Sequence, residues 1–287
     1  PQRLLALKLI SLAAQLHGFG SSTPSERANP PASSGDTPQT VLVIAGEHAT
    51  EHCSSWMLHG MLLSKLQSRQ RHAPVPNNWL FIPIEDPDGN VDCTFDSLTD
   101  KFTLPYDEKT PREVFDYAKY LIAYIESGQS IDIAMSLHNV EANEGSNFFC
   151  PFVDAQYAKT ILPLNKELLQ RLNDGGFRIG PDRVWQSGWM PFRLYGWCSA
   201  RFGSLPLTFE ANDRYPQNRL TLLQIQHLGR ISADFIEQWC LTEPGKTWHL
   251  QVRKRLAVRT QQRNAYWKTV GYGPESRSKY DILTLGY

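Results

Sequence analysis

Val41-Leu-Val-Ile-Ala-Gly-Glu-His-Ala-Thr-Glu-His52 decides how this chain is read. Its first five residues are apolar and mostly β-branched, the pattern of a buried strand. Gly46 ends the run, and His48, Glu51 and His52 follow at once. His48 and Glu51 are three residues apart, so on one helical turn their side chains share a side. An imidazole nitrogen and a carboxylate oxygen converging there are two of the three protein ligands of a catalytic zinc, whose fourth position holds water. Two residues at this spacing recur often by chance. Position strengthens the reading, because α/β sheets bind ligands outside the carboxyl ends of their strands. A third ligand and a general base are therefore expected further along, in equivalent places.

The length, 287 residues, suits one large α/β domain or two small ones, and an apolar fraction of 41% supports a real core. Basic and acidic residues balance at 29 each, which weighs against nucleic acid or an anionic membrane as a partner. The cysteines (Cys53, Cys93, Cys150, Cys198 and Cys240) are odd in number, scattered and without a C-x-x-C pair. Neither a disulfide framework nor a zinc knuckle is expected, and a reducing, cytoplasmic setting is. No apolar run is long enough to span a bilayer. Leu4 to Leu16 is interrupted by Lys8 and no A-x-A site follows, so it is read as a helix rather than a signal peptide.

Strand and helix patterns then alternate. After a Gly/Ser/Pro-rich loop over 18–40, Ser54 to Leu66 reads as a buried helix presenting Trp56, Leu58, Met61, Leu62 and Leu66. Trp79 to Ile84 is a second strand, ending in the turn Glu85 to Gly89. Val114 to Ile125 is an amphipathic helix, and Ile131 to Leu137 a strand followed directly by His138. Phe148-Phe149 continues as a short strand, and Ala155 to Leu172 is a helix closed by Asp174-Gly-Gly176. Residues 180–204 read as an aromatic loop, Leu205 to Phe209 as the last core strand with Glu210 at its end, and Leu220 to Trp239 as a closing helix. This alternation predicts a mainly parallel or mixed sheet covered on both faces. Beyond Gly245 the composition turns basic, giving a catalytic domain over 1–244 and an extension, 245–287, packed on it with a wet face.

Three polar residues thus end three predicted strands: His48, His138 and Glu210. Zinc on two His and one Glu activates water and polarises a carbonyl. A further carboxylate then moves the proton to the leaving amine, and Glu210 is placed for that.

His48-Ala-Thr-Glu51, Asp86-Pro-Asp-Gly89, Ser136-Leu-His138 and Leu207-Thr-Phe-Glu210, in that order, resemble the signature of the zinc metallocarboxypeptidases, the carboxypeptidase A-like group. The resemblance covers roughly residues 40 to 240 and is carried by short motifs. It implies a mixed, mostly parallel eight-stranded sheet with helices on both faces. It also implies one zinc ion on His48, Glu51 and His138, with Glu210 as general base. Asn90-Val-Asp-Cys-Thr-Phe95 resembles the family's G-V-D-x-N-R-x-F stretch. Asp92 there matches the carboxylate that accepts the N–H of the first His ligand; a plain turn residue is the equal alternative.

The chain also departs from the family. Thr94 and Phe95 stand where an Asn-Arg pair grips the substrate carboxylate, and the segment that carries an oxyanion-stabilising Arg is almost absent. Replacement groups are sought in residues 180–219. Trp185-Gln-Ser-Gly188 looks like the family's tyrosine-bearing loop with Trp185 in place of Tyr, and Arg193 falls near the position that selects the substrate side chain. Arg183, Arg201 and Arg214 are further cations, and Tyr195 a stand-in for the tyrosine; the plainer reading is a surface salt bridge for each arginine and packing for Tyr195. Glu141 and Glu144 either line the cleft or are exposed, and His52 is not expected to be a ligand.

The expected activity is zinc-dependent hydrolysis of peptide bonds, with short or acidic peptides favoured by an arginine in the pocket. A zinc-dependent deacylase of N-acyl amino acids on the same fold would tolerate the missing clamp. A non-catalytic binding module is favoured by the missing arginines and opposed by the intact His48, Glu51, His138 and Glu210 set.

Overall fold

In the computed structural model, β1 (Thr40–Ala45) is buried along its whole length. Its sequence shows no polar alternation because a central parallel strand is covered on both faces. The structure describes residues 38–48, 50–70, 77–85, 112–139, 148–151, 158–179, 193–216 and 218–269. Around β1 lie β2 (Asn78–Ile82), β3 (Ile133–Asn139), β4 (Phe148–Pro151) and β5 (Leu205–Ala211). The order across the sheet is β2-β1-β3-β5-β4. β4 alone runs antiparallel, on the edge beside β5. The eight-stranded sheet implied by the resemblance is thus represented by five strands among the described residues.

Six helices cover the sheet among the described residues: α1 (His52–Gln70), α2 (Arg112–Glu126), α3 (Ala158–Asp174), α4 (Leu194–Phe202), α5 (Leu222–Cys240) and α6 (Glu243–Thr269). Alternate strand residues face opposite ways. Val41, Val43, Ile133, Met135, Leu205 and Leu207 join α1, α3, α5 and the start of α6 in one core. Leu42, Ile44, Leu80 and Ala134 meet α2 and α4 in the other.

Several elements differ from their sequence reading. β3 and β5 run on through His138 and Glu210, because the backbone ladder continues past the apolar run into the polar site residues. β2 stops at Ile82 rather than Ile84. Residues 194–202 are helical, not loop: α4 buries Leu194, Tyr195, Trp197 and Phe202, and that burial outweighs the poor helix propensity of Gly196 and the aromatics. α1 turns its small residues inward. Cys53, Met57, Gly60, Met61 and Ser64 are buried, while Trp56 and Leu66 are 39% and 40% exposed. The expected helix over 4–16, the turn over 86–89, and Asp92, Glu141, Glu144, Arg183 and Trp185 lie outside the described residues.

The basic stretch past residue 245 is helical and begins two residues earlier, at Glu243. Trp248 and Val252 belong to the main core. Its anchor is Asp132, one residue before β3. Oδ1 lies 2.7 Å from His249 Nδ1, and Oδ2 accepts from the Thr40 N–H and Ser130 Oγ, each at 2.8 Å. The Asp132 carbonyl accepts from Trp248 Nε1 at 2.9 Å and the Leu205 N–H at 2.8 Å. Asp132→Asn replaces the charged acceptor shared by Thr40, Ser130 and His249 with a neutral amide that accepts through one oxygen only. A loss of about 1.5–3 kcal/mol is expected, read as a lower midpoint in urea unfolding. No helix among the described residues is long and apolar enough to cross a membrane.

Candidate metal centre

The centre is assembled where β1, β3 and β5 end. Gly46 leaves β1 with φ of 65°, and a Cβ there would lie 3.1 Å from the Ile84 backbone. Glycine therefore allows the chain to turn sharply against its neighbour. The turn is fixed by local bonds: Gly46 N–H donates to Ser54 Oγ (3.1 Å), Ser54 Oγ donates to the Glu51 carbonyl (2.6 Å), and Glu51 N–H donates to the His48 carbonyl (3.0 Å). One turn ahead of α1, His48 and Glu51 consequently point the same way.

His138 comes to them from β3. His48 Nδ1 lies 2.7 Å from Glu51 Oε1, and His138 Nδ1 lies 2.8 Å from Glu51 Oε2. The two Nδ1 atoms are 3.3 Å apart, with ring centroids 4.9 Å apart and planes tilted by 58°. Among the described residues His48, Glu51 and His138 form the one group able to hold a metal ion, each offering a ligand atom within 4.8 Å of the others. Two imidazole nitrogens and a carboxylate oxygen, all largely buried, fit zinc by donor type and number.

Glu210 is the register partner of His138 across the parallel β3–β5 pair. Neighbouring strands lie about 4.8 Å apart, so the two residues stand side by side on the same face. His52 is exposed and outside the cluster.

Behind the cluster is a charged group that the sequence reading passed over. The Glu47 side chain is 0% exposed. Ser136 Oγ donates to Glu47 Oε2 at 2.6 Å, and His138 Nε2 lies 3.1 Å from the same oxygen and 2.9 Å from Ser136 Oγ. Arg193 Nε faces Glu47 Oε1 at 3.9 Å. Burial alone would raise the Glu47 and Glu51 carboxyls. Attraction and hydrogen bonding to His138 outweigh it in both, helped by Arg193 and His48 at Glu47 and by His48 at Glu51, and each is held at about 2. At His138 burial acts to lower the pKa, but Glu51, Glu210 and Glu47 together push it well above the usual imidazole value. The pocket is therefore built for positive charge. One signal for the second layer was available: Ser136 precedes His138 by two residues and so shares its side of the strand. Nothing in the sequence ties Glu47 to a strand 89 residues away.

The remaining candidates separate by position. Arg193 sits beside the centre, on Glu47. Tyr195 is 0% exposed and part of the core under α4, so it is packing rather than a substrate contact; burial and the nearby Glu47 push its phenol well above its ordinary pKa. Arg201 is at the wrong end. α4 runs back from Arg193 to Gly203, just ahead of the first residue of β5, so Arg201 lies at the foot of the sheet. Its guanidinium stands 5.9 Å over the Trp197 ring, and its carbonyl accepts from Arg259 Nη1. Arg214 is at the rim: Nη2 donates to the Thr50 carbonyl, next to Glu51, and the side chain is 42% exposed while pairing with Asp213.

No protein-family model and no curated protein matches the sequence. Solved structures do match in fold. The metallo-carboxypeptidase from Burkholderia cenocepacia superposes with a TM-score of 0.56 at 16% identity, over 74% of this chain and 60% of that one. The metallo-carboxypeptidase from Pseudomonas aeruginosa gives 0.52 at 17% identity, over 71% of this chain and 57% of that one. This chain thus spans about 60% of the length of the structures it matches. Likeness at such identity is likeness of fold: the chain is built on the α/β architecture of the metallo-carboxypeptidases.

Proposed function

We propose that the protein is a zinc-dependent hydrolase of amide bonds, a metallopeptidase of carboxypeptidase type. One observation carries the reading: His48 Nδ1, Glu51 and His138 Nδ1 converge within 4.8 Å, with Glu210 in register beside His138. When bound there, a zinc ion supplies a Lewis acid for the substrate carbonyl and a water of lowered pKa. Glu210 would serve as the general base beside it, a carboxylate able to hold the proton released in the attack and hand it to the leaving nitrogen. Among the described residues, Arg214, at the rim beside Thr50, and Arg193, behind Glu47, are cations that stand beside the centre. Of the two, Arg214 is the more exposed and is the better candidate to meet a substrate carboxylate. Short peptides, acidic ones included, are the expected substrates.

The test combines metal analysis with a substrate panel. Protein stripped with chelator and reloaded is expected to take up one zinc per chain, and Glu51→Gln to lose most of that uptake. Reloaded protein is expected to release the last residue of short peptides faster than it cleaves N-acyl amino acids. The reverse preference would make it a deacylase. A parent protein that takes up no divalent metal, or that hydrolyses equally well after stripping, would overturn the reading.

A further inference from the structure

Glu47 is a fully buried carboxylate that no step of the proposed chemistry uses. We infer that it is a positioning residue for the third metal ligand: through His138 Nε2 it fixes the tautomer and ring orientation that aim Nδ1 at the metal. This rests on the zinc reading above.

The argument starts from the two ring nitrogens. His138 Nδ1 points to Glu51 Oε2 at 2.8 Å and to His48 Nδ1 at 3.3 Å, so this is the nitrogen inside the cluster. To donate a lone pair there, a neutral imidazole must carry its proton on Nε2. That nitrogen faces Glu47 Oε2 at 3.1 Å and Ser136 Oγ at 2.9 Å, and Ser136 Oγ itself donates to the same carboxylate oxygen at 2.6 Å. A carboxylate only accepts, so the proton is held on Nε2: the other tautomer would set a bare nitrogen against Glu47, and a ring flip would put a carbon where Nε2 now meets it.

Burial makes the arrangement costly unless it is paired. Glu47 is paired on both sides, with Ser136 and His138 at Oε2 and Arg193 at Oε1. Its complete burial keeps it from touching a substrate, so any influence it has on the reaction passes through the groups it faces, and His138 is the metal ligand among them. The placement is also economical in chain. Glu47 lies between Gly46 and His48, so the turn that supplies two ligands also braces the third one, on another strand. Carboxylates behind ligating histidines hold the ring and raise its basicity, and their loss typically weakens metal affinity about 10–100-fold.

The test uses the full chain, zinc alone as the probe and competition against a chromophoric chelator, with cobalt(II) substitution as a spectroscopic readout. Glu47→Gln keeps the shape but offers the ring an amide. It is expected to bind zinc about 10–100-fold more weakly than the parent and to shift the visible cobalt bands. The metal-free variant is expected to melt below the parent, because His138 and Arg193 lose a charged partner, so affinities are compared well below both melting temperatures. Ser136→Ala removes one of the two partners of Nε2 and is expected to weaken zinc binding by a smaller factor; it decides the matter should Glu47→Gln not fold. Parent-like zinc affinity and cobalt bands in the folded variants would overturn the inference and leave the zinc reading standing. A parent protein that binds no zinc would remove both.

Discussion

Glu210→Gln is expected to slow turnover by about 10²–10⁴-fold while zinc content and melting temperature stay near those of the parent. The substitution changes one oxygen to an amide nitrogen, so packing beside His138 is preserved. A glutamine cannot take up the proton that a carboxylate takes from water. The size of the effect follows from geometry set by the sheet. Glu210 and His138 are paired residues of adjacent parallel strands, and that pairing fixes their separation independently of any loop. Comparing kcat for the two zinc-loaded proteins on one short peptide, with metal analysis of both, checks the prediction. Turnover within threefold of the parent would assign the proton transfer elsewhere.

Gly60→Ala is expected to cost ~3 kcal/mol or more, beyond the usual range for an added methyl group in a core. Helix propensity alone gives the opposite sign, since alanine is favoured over glycine by about 1 kcal/mol in a helix interior. Packing decides against it. A Cβ at Gly60 would sit 1.9 Å from the Gln226 carbonyl oxygen, and one at Gly229 would sit 2.1 Å from that of Met57. α1 and α5 therefore touch backbone to backbone at two points, and neither obstacle is a side chain that can swing away. The helices must separate, reopening the core at Met57 and Met61. At roughly 2–4 °C per kcal/mol for a domain of this size, the melting temperature should fall by about 10 °C, and Gly229→Ala should behave alike. Leu223→Ala, at a position 73% exposed, is the control and should melt near the parent temperature. Because α1 starts at the residue after Glu51, the glycine variants should also hold zinc less well.

The same contact explains what the sequence could and could not disclose. Parallel strands announce themselves as short unbroken apolar runs, so β1, β3 and β5 were legible, and with them the positions of His48, His138 and Glu210 at one edge of the sheet. The inward face of α1 was legible only in part: Leu58 and Met61 are buried as read, but where backbones nearly touch, glycine, serine and cysteine share the packing, and a reading keyed to large apolar residues also selects Trp56 and Leu66, which face outward. α4 was hidden for a related reason, being held helical by the sheet beneath it rather than by its own residues. Tyr195 and Arg201 looked alike as site candidates because residue type carries no direction. A helix running away from the centre puts one in the core and the other at the foot of the sheet. Glu47 escaped because a charged residue after a glycine reads as solvated until its distant partners are known.

The Asp132 anchor bears on the order in which the molecule can be completed. All five described strands are synthesised before α6, yet Trp248 and Val252 fill the base of their shared core. A growing chain therefore holds all five described strands before the helix that closes their underside exists. For that interval its greasy floor is bare to water and to other nascent chains, the hazard that cellular chaperones exist to contain.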